Sequence, residues 1–153
     1  MKTQVSKRRS RHLDDFAIAL PQRVSALTRI FFARANTGVS RTEVGLLAAL
    51  STRPHRITEL AVREGITQPA VTQLVNRLEE HGWVERRTDA RDRRAVLVAL
   101  TGAGRDALDR VRAEYRALLH EEVAALDDDE VATLAAAVDI LDRLIERIEG
   151  AHD

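Results

Sequence analysis

The chain has no cysteine, which removes disulfides, thiolate zinc sites and thiol-based redox sensing from the mechanisms open to it. It has only three prolines, a composition that favours helices. No apolar stretch approaches membrane-spanning length, and the basic start, Met1 to Arg11, is not followed by an apolar run of signal-peptide length. The expectation is a soluble, cytoplasmic protein with no membrane partner. His12, His55, His81, His120 and His152 show no ligand spacing, such as a pair four residues apart, so no metal site is expected. Gly-rich phosphate loops, nucleophile elbows and paired catalytic acids are missing too, and Gly102-Ala103-Gly104 is too short to count. No catalytic residue and no cofactor is therefore expected.

What is present is a chain of 153 residues, 44% hydrophobic and 31% charged. That suits one ordinary globular domain, or a reading domain joined to a dimerisation element. The net charge is zero, but it is segregated along the chain. Residues 1–39 carry 8 basic and 2 acidic side chains, residues 40–105 carry 11 and 8, and residues 106–153 carry 5 and 14. Such asymmetry points to a division of labour, with a polyanion-facing part and an acidic part.

Residues 1–12 read as a disordered basic tail. From Leu13 to about Ala35, Phe16, Leu20, Val24, Leu27 and Phe31 recur at helical spacing. Pro21 either kinks this helix or marks its true start. Ser40 with Glu43 has capping-box spacing and opens a helix to about Leu50. Ile57 to Glu64 is a two-turn helix stopped by Gly65, and Thr67 caps the next, with Pro69 in its first turn and Gly82 at its end. Short helix, glycine turn and longer helix make a helix-turn-helix. Two β-prone runs, Trp83 to Arg87 and Ala95 to Leu100, then flank a polar, arginine-rich tip and form a hairpin. Thr101 caps a long helix over about 103–123. Asp127 and Glu130 box the start of the last, whose stripe of Val131, Leu134, Val138, Leu141, Ile145 and Ile148 is sustained.

Two constellations could carry function. On the helix after Thr67, Val71, Leu74, Val75 and Leu78 share one face, which leaves Gln68, Thr72, Gln73, Asn76 and Arg77 on the other. Amides can pair with adenine and arginine with guanine in a major groove; the alternative is a solvated polar face. The hairpin holds Arg86 and Arg87 on its incoming strand and Arg91, Asp92, Arg93 and Arg94 at its tip. It is either a solubilising loop or a wing whose arginine enters a narrow minor groove.

Glu59-Leu60-Ala61, Val71 to Glu79, Gly82 to Arg86, Asp92-Arg93-Arg94 and Leu100-Thr101-Gly102-Ala103-Gly104 together resemble the MarR family, over about residues 40–106. The resemblance implies a mainly α fold with a small β-hairpin wing. In it a winged helix-turn-helix domain at 40–102 is combined with a helical dimerisation region at 13–39 and 103–153. It further implies a homodimer on double-stranded DNA, with Thr67 to Arg77 as the reading face, Arg94 as the wing arginine and Asp92 as its partner. A small aromatic or phenolic anionic effector, in a pocket whose residues the sequence does not name, would weaken binding. The competing function is a winged-helix protein-interaction module without specific DNA binding.

Overall fold

The computed structural model describes residues 2–35, 38–89, 92 and 95–151. Eight elements follow in order: α1 (Lys2–Arg34), α2 (Arg41–Leu50), α3 (Ile57–Glu64), α4 (Gln68–Glu80), β1 (Val84–Thr88), β2 (Val96–Leu100), α5 (Gly102–Val123) and α6 (Asp128–Glu149). The chain divides into two compact units, Met1–Tyr115 and Arg116–Asp153.

In the first unit, α1 runs through Pro21 as one helix. A proline inside a helix removes a single backbone donor, and the flanking ladder can carry that loss. The helix also takes in residues 2–12, the stretch expected to be a disordered leader. That stretch has no glycine or proline and is rich in lysine and arginine, which are good helix formers. The capping box expected for α2 is present: Ser40 N–H donates to Glu43 Oε2 at 2.8 Å, and Ser40 Oγ accepts from Glu43 N–H at 3.3 Å. Gly65 ends α3 in the left-handed region at φ 65°, where an L side chain would be strained. This sets the turn between α3 and α4.

The core lies between α2, α3, α4 and the hairpin. Leu46, Leu47, Leu50, Leu60, Val71, Val75, Leu78, Val84, Val98 and Leu108 are buried in one cluster. β1 and β2 pair antiparallel with Val84 opposite Leu100 and Thr88 opposite Val96. The sheet has an addition the sequence did not announce. His55 N–H donates to Val98 C=O at 3.0 Å and Val98 N–H to His55 C=O at 2.8 Å, so the segment before α3 forms a one-residue bridge on the outer side of β2.

α5 opens against the hairpin. Thr101 Oγ1 accepts from Gly104 N–H at 3.0 Å, which is the expected cap, and donates to Gly82 C=O at 2.7 Å. Near the end of the first unit, the Tyr115 ring stacks on Phe31 with centroids 5.3 Å apart and meets Phe32 edge-on at 5.7 Å. In the second unit, α6 starts with the expected capping box: Glu130 N–H donates to Asp127 Oδ1 at 2.8 Å and Asp127 N–H to Glu130 Oε2 at 3.1 Å. No described helix is long and apolar enough to cross a membrane.

Candidate nucleic-acid interface

The orientation of α4 is settled by what it buries. Val71, Leu74, Val75 and Leu78 are all in the core, and each such side chain contributes about 1.5–3 kcal/mol by leaving water. Burying that face turns the other one outward. Thr67 is exposed, and its Oγ1 accepts from Ala70 N–H at 3.4 Å, which leaves the helix start capped. Gln68, Gln73, Asn76 and Arg77 are exposed as expected, whereas Thr72 is half-buried. The Thr72 hydroxyl donates to Gln68 C=O at 2.9 Å, so it is turned back onto its own helix.

Three arginines on the described part of this surface are engaged by the protein. Arg77 Nη2 lies 3.6 Å from Glu43 Oε1, the side chain that also closes the α2 capping box. Arg86, on β1, donates through Nη2 to Asn76 Oδ1 at 2.6 Å and pairs through Nη1 with Glu79. Arg87 donates through Nε to Glu85 at 2.7 Å. Each such exposed pair is worth about 0–1 kcal/mol, so their weight here is geometric. They hold Glu79 and Glu43, acids close to the outward face of α4, against positive charge.

At the wing, Asp89 N–H donates to Ala95 C=O at 2.9 Å and Ala95 N–H to Asp92 C=O at 2.8 Å, closing the base of the hairpin. Arg91, Arg93 and Arg94 lie outside the described residues, so their expected roles rest on sequence. The carboxylate of Asp92, expected beside the wing arginine, lies 3.6 Å from Arg56 Nη2, and the same nitrogen donates to Asp89 at 3.3 Å. Arg56 is the residue that precedes α3, and its side chain makes no cap there. Instead it links α3 to the wing base. Nothing local marks it in sequence, because Asp89 is 33 residues away.

His55 is a second residue whose role the sequence left open. It is buried, with Nδ1 2.8 Å from Glu59 Oε2, and Arg53 Nη1 donates to the same oxygen at 3.1 Å. Burial raises the Glu59 pKa, but the hydrogen bonds from His55, from Arg53 and from the backbone at Arg56 outweigh it and hold the carboxyl below its ordinary range. Glu64 is shifted the other way: its burial beside Gly45 pushes it up, against the pull of Arg63 and Arg41.

The geometry agrees with relatives. A MarR family model matches residues 37–95, the span from just before α2 to the wing. The uncharacterized HTH-type transcriptional regulator YdgJ of Bacillus subtilis is 30% identical over 117 residues, 76% of this chain and 70% of its own. The crystal structure of the transcriptional regulator BldR from Sulfolobus solfataricus is 30% identical with a TM-score of 0.61, covering 84% of this chain and 96% of that one. Wild-type MarR from E. coli in its apo form matches with a TM-score of 0.64 at 24% identity, covering 84% and 96%; at that identity the likeness speaks for the fold. The relatives named here are transcriptional regulators and not enzymes.

Proposed function

This chain belongs to the MarR family of transcriptional regulators, and on that premise we propose a cytoplasmic repressor that binds a pseudo-palindromic operator as a homodimer. The observation that carries the reading is the outward face of α4. From Gln68 to Arg77 it presents amide and guanidinium groups without one carboxylate, and the nearest acid on the helix, Glu79, is already paired with Arg86. A polyanion can approach such a face without repulsion, and amides and arginine are the groups that read base edges. α4 lies in the major groove, and the wing, with Arg91, Arg93 and Arg94, reaches the flanking minor groove.

The dimer reading rests on apolar surface. Leu13, Phe16, Ile18, Val24, Leu27 and Ile30 of α1, and Val131, Leu134, Val138, Ile140, Ile145 and Ile148 of α6, are exposed in the single chain. Twelve large apolar side chains on two helices call for cover, and a second copy supplies it. The acidic balance of residues 106–153 suits a role other than contact with DNA phosphate.

Ligand response belongs to the same proposal. A small aromatic or phenolic anion lowers operator affinity by favouring a dimer whose reading helices no longer match the groove spacing. Selection from random duplex DNA with the full chain tests the core of the reading. The expected product is an inverted repeat with half-sites about one helical turn apart. Enrichment of no sequence, with no salt-dependent duplex binding, would overturn it in favour of a protein-interaction module.

A further inference from the structure

The hairpin is packed at its root and not toward its tip. Val84, Val98, Ala99 and Leu100 are buried, while Thr88 and Val96, the last pair of the ladder, are exposed. Apolar packing therefore fixes where the wing starts and leaves its far end to other forces, since a two-stranded ribbon without cover is only marginally stable. The segment before α3 reaches that end from outside. His55 bridges Val98 in antiparallel sense, so the next residue, Arg56, lies one step closer to the tip along β2. Its Nη2 meets Asp89 Oδ2 at 3.3 Å and Asp92 Oδ2 at 3.6 Å. These two acids also hold the backbone below the tip, through Asp89 N–H to Ala95 C=O and Ala95 N–H to Asp92 C=O.

Helix chemistry does not ask for an arginine there. Arg56 occupies the N-cap of α3, where Ser, Thr, Asp or Asn would accept a helix N–H, and it makes no cap. A cation at that end also opposes the helix dipole. The wing accounts for what the helix does not. One guanidinium nitrogen ties two carboxylates to the helix-turn-helix, and its charge offsets two acids that would otherwise repel a duplex phosphate.

We propose that Arg56 is a positioning residue for the wing. By tying Asp89 and Asp92 to the start of α3 it fixes the tip relative to the reading face of α4, and it acts on DNA through those two carboxylates. The sequence preference in the flanking minor groove then depends on a side chain of the helix-turn-helix. This rests on the DNA-binding reading above and deepens it, making helix and wing one reading unit.

The test takes the selected operator, exchanges each base pair singly and measures binding by anisotropy at one salt concentration, with the full chain throughout. The wing positions are those flattened when Arg91, Arg93 and Arg94 are all replaced by alanine. Arg56→Gln flattens the same positions and leaves those altered by Gln73→Ala as in the wild type. Loosening one wing costs about threefold, the scale of a partly exposed ion pair, and a dimer presents two, so operator affinity falls about tenfold. The double variant Asp89→Asn, Asp92→Asn breaks the link from the other side and flattens the same positions, which keeps the test open should Arg56→Gln fail to fold. Adding Arg56→Gln to that double variant changes affinity less than twofold, because the link is already gone. Four results would overturn the proposal. They are wing preferences unmoved by Arg56→Gln, a loss spread evenly over all positions, an equal loss from Arg56→Gln with and without the two aspartates (the mark of a direct phosphate contact), and no position altered by the wing variant. A wild type that discriminates no duplex at all contradicts the DNA-binding reading itself, which is a different result.

Discussion

Gly104 is where the start of α5 comes closest to the root of the wing, and replacing it with alanine is a sharp test of that packing. A Cβ at Gly104 would lie 2.0 Å from the Trp83 carbonyl oxygen, 2.9 Å from its carbon and 2.7 Å from Leu100 Cδ1. Two of these atoms are backbone, so the helix start has to move away. Doing so strains the hydrogen bond from Thr101 N–H to Trp83 C=O, now 3.0 Å, and the Thr101 cap on Gly104 N–H. Overpacking costs about 1–3 kcal/mol, the backbone bond about 1 kcal/mol and the cap about 1 kcal/mol. The helix propensity of alanine returns about 1 kcal/mol. The net is a loss of about 2–4 kcal/mol, or roughly 5–15 °C in Tm for a chain of this size. Far-UV circular dichroism at fixed protein concentration reads the Tm, and the fluorescence of Trp83, the only tryptophan, reports the contact directly. Gly102→Ala is the control: nothing lies within 4 Å of its Cβ, and its Tm should be unchanged or slightly higher. Equal Tm values for the two variants would refute the reasoning.

Arg94→Ala should weaken operator binding by about 1–3 kcal/mol with dimerisation intact; an unchanged gel shift at controlled salt would remove Arg94 from the interface. Tyr115→Phe should leave stability unchanged or raise it. The Tyr115 hydroxyl is buried with no hydrogen-bond partner among the described residues, and a buried unpaired hydroxyl costs about 1–3 kcal/mol. A clear drop in Tm would show that the hydroxyl has a partner. Glu59 has a folded pKa below its ordinary 4.5, so the unfolded chain binds more protons between the two values. Its stabilisation is therefore complete above 4.5 and fades as pH falls through the folded value. Glu59→Gln should flatten that acid limb in urea titrations across pH, and an unchanged limb would contradict the pairing. Glu64, raised instead, costs stability as pH climbs above 4.5, so Glu64→Gln should change the opposite side of the profile.

The helix starts and stops were readable because their chemistry is local. Ser40 with Glu43, Thr67 with Ala70, and Asp127 with Glu130 are contacts three residues apart, and Gly65 ends α3 by its own backbone freedom. The outward face of α4 was readable for a similar reason, since the spacing of Val71, Leu74, Val75 and Leu78 decides which side is buried. What the sequence did not give were the links between elements. Arg56 with Asp89 and Asp92, Arg86 with Asn76 and Glu79, and His55 with Val98 join residues separated by up to 43 positions. No periodicity encodes such pairs. Arg86 shows the consequence: its position and charge suggested a contact to DNA, and its links to Asn76 and Glu79 on α4 had no local signal.

The central claim is that the outward face of α4 and the wing read a particular duplex sequence. The most direct measurement is the ratio of wild-type affinities for the selected operator and a scrambled duplex of equal length, at one fixed salt concentration. Sequence reading by α4 and the wing gives a ratio of about 1,000 or more, with both affinities falling as salt rises. Equal affinities, or none, would contradict it.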